Sequence, residues 1–196
     1  MARFGRAQLF TPWASILAGS KSKWTETPMF QRILFAFAVV LLATPAEAAT
    51  KAAVFPFDFH DAQQDGEMFP QNDPEDLRRL QLVSDELRSL MQKDERFDVV
   101  DLSSKAKEID AASPFYKCDG CEAPIARDAG ADIAVTGYVD KLSSAALNLQ
   151  IIVRDAATGQ PTKTMSAAIS GNTDDMWLRG VRYLWKNRFN AEAEQK

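Results

Sequence analysis

The chain has 196 residues, 46% hydrophobic and 26% charged, an ordinary globular usage that excludes a wholly disordered or fibrous protein. Its net charge of -4 lacks the basic footprint of a general nucleic-acid binder. A single histidine excludes most histidine-based chemistry, and neither a glycine-rich phosphate loop nor a G-x-S-x-G elbow occurs.

Residues 1–28 carry Arg3, Arg6, Lys21 and Lys23 against Glu26. They read either as an extended amino-terminal region or as sequence ahead of a start at Met29. Residues 33–43 form an uninterrupted apolar run. Crossing a bilayer takes about 20 such residues, so the run suits the core of a signal peptide. Arg32 precedes it and Ala46-Glu47-Ala48 follows, so residues 29–48 read as a signal peptide cut between Ala48 and Ala49. The alternatives are an uncleaved anchor or a buried helix. No cysteine follows the run to carry a lipid. The chain is therefore expected in the periplasm, with no membrane span after cleavage.

The part after cleavage holds 25 acidic and 18 basic residues. Residues 49–190 are expected to form one domain and 191–196 a polar tail. Ala52–Phe59 reads as a first strand, with Pro56 marking an edge or an end. Residues 60–74 read as a polar loop. Asp73-Pro74 starts a helix whose apolar stripe is Leu77, Leu80, Val83, Leu87, Leu90 and Met91. Residues 97–102 form a second strand, and Ser103 or Ser104 caps a short helix through Ile109. Glu122–Ala129 is a helix ended by Gly130.

Residues 131–139, 147–153 and 162–170 then alternate as three strands. The final helix starts within 171–175, with a stripe of Trp177, Val181, Leu184, Trp185 and Arg188. Strand and helix alternate in the front half, which implies parallel pairing. The back half is an antiparallel meander closed by a helix. The fold class is α/β (α+β): one mixed sheet of about five strands with helices packed on it.

Cys118-Asp119-Gly120-Cys121 is the sharpest local motif. Such a pair forms a disulfide, binds a metal or exchanges thiols. An oxidising compartment favours a structural disulfide. A thiol-active accessory protein is the alternative, since Lys117 would lower a thiol pKa. Zinc takes about four ligands, and only the two cysteines and a distant His60 are on offer, so no metal is expected. His60 reads as a solvated loop histidine without catalytic partners. Asp58, Asp61, Asp65, Glu67 and Asp73 concentrate nearby without calcium-loop spacing and read as a solvated face. Arg179, Arg182, Lys186 and Arg188 make the final helix basic, which suits either the helix dipole or an acidic partner. Arg179, Arg182, Lys186, His60 and Asp61 are the candidate partner-binding residues. No cofactor and no enzymatic activity are expected.

Three stretches carry a resemblance: Val54-Phe55-Pro56-Phe57, Gly130-Ala131-Asp132-Ile133-Ala134-Val135-Thr136-Gly137, and Asp155-Ala156-Ala157-Thr158-Gly159. Together they resemble the small α/β domain shared by the TolB amino-terminal domain, the CsgG secretion protein and the Lpo activators of cell-wall synthases. The fuller pattern, from the cysteine pair through Gly171-Asn172-Thr173-Asp174-Asp175 to Arg188, is similar to a family of exported proteobacterial proteins carrying a domain of unknown function. The resemblance implies a TolB amino-terminal-like fold and an envelope or periplasmic interaction module with a protein partner. Members of that family resemble genes found near quinoprotein alcohol dehydrogenases in some bacteria, which implies support of a periplasmic dehydrogenase system. The chain departs from CsgG and the Lpo proteins in lacking a lipid anchor, and from TolB in lacking a propeller.

Overall fold

The front half of the chain crosses over between its strands and the back half turns straight back, and the two habits meet in one sheet. A computed structural model describes residues 48–61 and 73–190. The expected signal peptide up to residue 47, residues 62–72 of the expected loop and the tail at 191–196 lie outside the described residues. Ala48 and Ala49 are exposed and precede the first strand.

The strands are β1 (Thr50–Val54), β2 (Asp58–Asp61), β3 (Phe97–Val99), β4 (Ile133–Lys141), β5 (Ala146–Asp155) and β6 (Pro161–Ser170). The helices are α1 (Pro74–Gln92), α2 (Ala106–Ala112), α3 (Glu122–Asp128) and α4 (Asp174–Leu184). The sheet order is β3-β1-β4-β5-β6, with β2 also paired to β4. β1 runs parallel to β3 and β4, and β2 parallel to β4. A parallel pair needs a crossover, and α1 on one side and α2–α3 on the other supply it. β4, β5 and β6 are antiparallel neighbours. The mixed sheet with helices packed on it is the fold that the strand and helix order implies.

Several local expectations are corrected. The first strand is two, because Pro56 has no N–H to give a ladder. Val54 aligns with Val135 but Asp58 with Tyr138, so the β1–β2 side holds one residue more than β4 across the break. His60 and Asp61 belong to β2 rather than to a loop. β3 stops at Val99, and Asp101 accepts from the Ser103 N–H at 2.9 Å, so an aspartate organises the next turn in place of a serine. α2 runs on to Ala112. Leu77 in the α1 stripe is 47% exposed, while the neighbouring Asp76 is fully buried. At the end of α4 the backbone widens into a π-type turn over Trp185–Phe189. The added residue turns Phe189 into the core and leaves Arg188 outside.

α1 and α4 cover one sheet face. Asp73 caps α1 through the Glu75 N–H, and Thr173 caps α4 through the Met176 N–H. Beneath them Val83, Leu87, Val135, Leu149, Trp177 and Val181 form the larger core. Phe57 lies flat against β4 there. A Cβ at Gly137 would stand 2.4 Å from its Cε1 atom, so only glycine fits. α2, α3 and the turn at Phe115–Lys117 cover the other face over β1 and β4, around Ala53, Phe55, Phe115 and Ala126. The β6 residues Thr164, Ser166, Ala168 and Ser170 stay exposed, as an antiparallel sheet permits.

Candidate functional site

Three polar assemblies lie on this scaffold. The first sits beneath the cysteine loop, between the turn at Phe115–Lys117 and the start of α3. Gly120 has a φ of 91°, which lets the four-residue segment fold back on itself. It brings the Cys118 and Cys121 sulfurs side by side, with Cα atoms 5.9 Å apart, within the span of a disulfide. Below lies a cavity of about 310 Å³ lined by Asp58, Cys118, Glu122, Thr136, Tyr138 and Arg154, among others.

Glu122 is 2% exposed and Arg154 8%. Arg154 Nε stands 2.8 Å from Glu122 Oε1, but its hydrogen is not aligned with that oxygen, and Glu122 Oε2 has no hydrogen-bond partner among the described residues. The rest of the guanidinium is held, with Nη1 donating to the Gly159 carbonyl at 3.0 Å and Nη2 to Asp119 at 2.7 Å. Asp58 accepts from the Phe115 N–H at 2.6 Å. Burial pushes its carboxyl up to about 6; the Phe115 and Tyr116 N–H groups oppose this and the Glu122 charge adds to it.

That raised carboxyl has a measurable consequence. Between about pH 4 and 6 the unfolded chain ionises Asp58 while the folded chain resists, so this group takes stability away as pH rises through that window. Asp58→Asn keeps an acceptor for Phe115. It is expected to flatten this part of the stability curve and to gain on the order of 1 kcal/mol at pH 7, after allowance for solvent screening. Urea unfolding at several pH values between 4 and 7 checks it.

The second assembly is buried where α1, β4 and α4 begin or end together. Asp76 Oδ1 accepts from Arg79 Nη1 at 2.9 Å and from Asn172 Nδ2 at 2.8 Å. Its Oδ2 accepts from Lys141 Nζ at 2.8 Å. Burial would raise this carboxyl, but the hydrogen bonds and charge of Lys141, Asn172 and Arg79 together hold it below its ordinary value. Asn172 in turn accepts from Trp177 Nε1 at 2.8 Å. Asp76 and Trp177 are fully buried at its centre, while Arg79, Lys141 and Asn172 reach partly to the surface.

The third is a groove of about 440 Å³ between α4 and the edge of β6 that no other strand among the described residues pairs. Ser166, Ile169, Met176, Arg179, Tyr183 and Arg188 line it.

The expected contact residues are not one surface. His60 points to the cysteine-loop face, with Nδ1 2.9 Å from Asp140 Oδ1 and its ring 5.3 Å from Tyr116. It is therefore a half-buried strand histidine, not a solvated loop one. Asp61, one residue on, faces the opposite way, 3.7 Å from Lys141. Arg179 pairs with Asp175, and Arg182 Nε donates to Glu86 at 2.7 Å. Lys186 and Arg188 are exposed and have no ion pair among the described residues. The expected solvated acid face also divides: Asp58 holds a backbone N–H, Asp61 faces Lys141, Asp73 caps α1, and Asp65 and Glu67 lie outside the described residues. Asp76, Glu122 and Arg154 were not singled out by sequence reasoning. A charged residue inside an otherwise apolar stretch, such as Glu122 before Ala-Pro-Ile-Ala, was the available signal.

Among the described residues no helix is long and apolar enough to cross a membrane. Among solved structures, the chain is similar to the LpoB C-terminal domain from Salmonella enterica, with 19% identity and a TM-score of 0.43, over 68% of this chain and 91% of that one. It is similar to lipoprotein GNA1162 from Neisseria meningitidis, with 11% identity and a TM-score of 0.47, over 71% and 96%. It is also similar to TolB from Acinetobacter baumannii, with 13% identity and a TM-score of 0.44, over 76% of this chain and 29% of that one. No curated protein sequence matches it. Residues 50–189 match the family described as Protein of unknown function (DUF2380), as the cysteine pair and the strand motifs implied, and the chain belongs to that family.

Proposed function

We propose that this chain is an exported periplasmic module that works by holding a protein partner rather than by catalysis. The carrying observation is the groove beside the outer edge of β6, which no other strand among the described residues pairs. An edge strand offers unpaired N–H and C=O groups to an added strand. Here that edge runs beside two arginines, Arg179 and Arg188, with the exposed Tyr183 as an aromatic contact. The occupant that fits is an extended, acidic segment of the partner, because the cations of the groove complement it. The apolar run, the small residues before Ala49 and the acidic balance of the remaining chain support the periplasmic setting. The Cys118–Cys121 pair closes as a disulfide in that compartment. Support of a dehydrogenase system is the pathway this reading favours.

The test is gentle crosslinking in cells, pull-down through a carboxy-terminal tag, and affinity measurement with the partner so found. Arg179→Glu combined with Arg188→Glu is expected to weaken capture by about tenfold or more, roughly 1.4 kcal/mol. Arg182→Glu, outside the groove, should leave it near wild type. Unchanged capture by the double reversal overturns this surface. A protein that comes down alone overturns the reading.

A further inference from the structure

The cysteine loop holds a third potential ligand beside its two sulfurs, and the geometry points to a redox-gated site for a divalent metal ion formed by Cys118, Cys121 and Glu122. Ligand atoms of these three residues lie within 4.8 Å of one another. The spacing of two residues between the cysteines is the spacing of a thiolate chelate. Sequence spacing alone supplied only these two ligands and a distant histidine. The fold adds Glu122, whose Oε2 is buried without a hydrogen-bond partner among the described residues. A native protein rarely leaves such an oxygen unused, and its cost is that of a desolvated carboxylate.

Arg154 explains how Glu122 would be held for this role. It stands 2.8 Å from Oε1, while Asp119 and the Gly159 carbonyl fix the guanidinium itself. Metal-binding carboxylates are oriented by outer partners of this kind. Two thiolates and Glu122 face the single positive charge of Arg154, which Asp119 also shares, so the reduced site is strongly anionic and favours a divalent cation. The adjoining cavity of about 310 Å³ leaves the fourth tetrahedral position to water. Oxidised, the pair is a disulfide and cannot bind. A dithiol donor reduces it by exchange, leaving two thiols here and a disulfide on the donor. Metal binding then displaces both thiol protons.

Cobalt(II) chloride is the probe. The full chain is reduced with a phosphine, freed of reductant without air, and titrated while its absorption spectrum is read. One cobalt per chain is expected, with a thiolate-to-cobalt charge-transfer band that is absent from the oxidised protein. Zinc should displace it. Cys118→Ser and Cys121→Ser should each remove the band. Glu122→Gln should raise the dissociation constant by about tenfold or more. If Glu122→Gln does not fold, Glu122→Asp keeps the charge beside Arg154 while drawing the oxygen back, and the same weakening is expected. Absence of the band in reduced protein overturns the site. Wild-type affinity in the folded Glu122 variant overturns the assignment of Glu122. Neither outcome bears on the β6 groove, which partner capture tests separately.

Discussion

Asp76→Ala is expected to cost about 3–5 kcal/mol of unfolding free energy, because it strands buried charge rather than merely deleting a contact. Three side chains converge on this one carboxylate: Lys141, Arg79 and Asn172. Arg79 retains a second acid, with Nε 3.0 Å from Asp174. Among the described residues, the ion pair that Lys141 retains is with the more distant Asp61, at 3.7 Å. Asp76→Asn keeps the shape and loses the charge, so a smaller loss is expected. Replacing Asp76 by leucine and Lys141 by methionine together should cost less than Asp76→Ala alone, since the carboxylate and its nearest cation leave together and Arg79 keeps Asp174. The pH dependence has a definite sign. The folded carboxyl is held below its ordinary value, so its stabilisation is complete above about pH 4 and is lost as pH falls through the lower folded value. Asp76→Ala should therefore show a shallower acid loss than the wild type. Urea unfolding monitored by circular dichroism across pH 2–7 measures both effects.

Trp177→Ala is the second large loss, again about 3–5 kcal/mol. The side chain is fully buried, and its ring stacks on Phe59 with centroids 6.3 Å apart. Truncation removes the largest enclosed side chain in the protein's described part and opens a cavity between α4 and the sheet. Trp177→Phe separates packing from hydrogen bonding. It preserves an aromatic ring but leaves Asn172 Oδ1 without its donor, at an expected cost of about 1–3 kcal/mol. Asn172 touches both Trp177 and Asp76, so these losses should not add. A double-mutant cycle with Asp76→Asn should show coupling above about 0.5 kcal/mol.

The periodic parts of the fold were legible in the sequence because their cause is local. Leu147, Leu149, Ile151 and Val153 alternate, and all four are buried on one face of β5. Trp177, Val181 and Leu184 recur at helical spacing, and all three are fully buried. The break at Pro56 was half legible. Proline predicts a strand end, but not that the chain resumes beside the same neighbour two residues later. The polar assemblies were not legible, because their partners are remote. Asp76 meets Lys141 65 residues on and Asn172 96 residues on. From sequence it reads as an ordinary acid in the first turn of a helix. His60 was misread for the same reason: Asp140, 80 residues away, holds it in the sheet. Cys118 and Cys121 were obvious, whereas the buried Glu122–Arg154 pair beneath them depends on β5 arriving alongside.

The position of β1 between β3 and β4 also sets the order in which the domain can assemble. Lys51 gives its N–H to Asp132, 81 residues downstream, and Phe55 gives its own to Val135. A chain that emerges amino terminus first shows Ala52, Ala53, Val54 and Phe55 before either flanking strand exists. The β4–β5–β6 meander, by contrast, closes through neighbouring segments as soon as it is free. Long-range parallel pairing has to overcome the entropy of its loop before any contact rewards it. The carboxy-terminal meander is thus expected to form first and β1 to insert late. Until that insertion the chain carries an apolar segment open to chaperones or to misassembly.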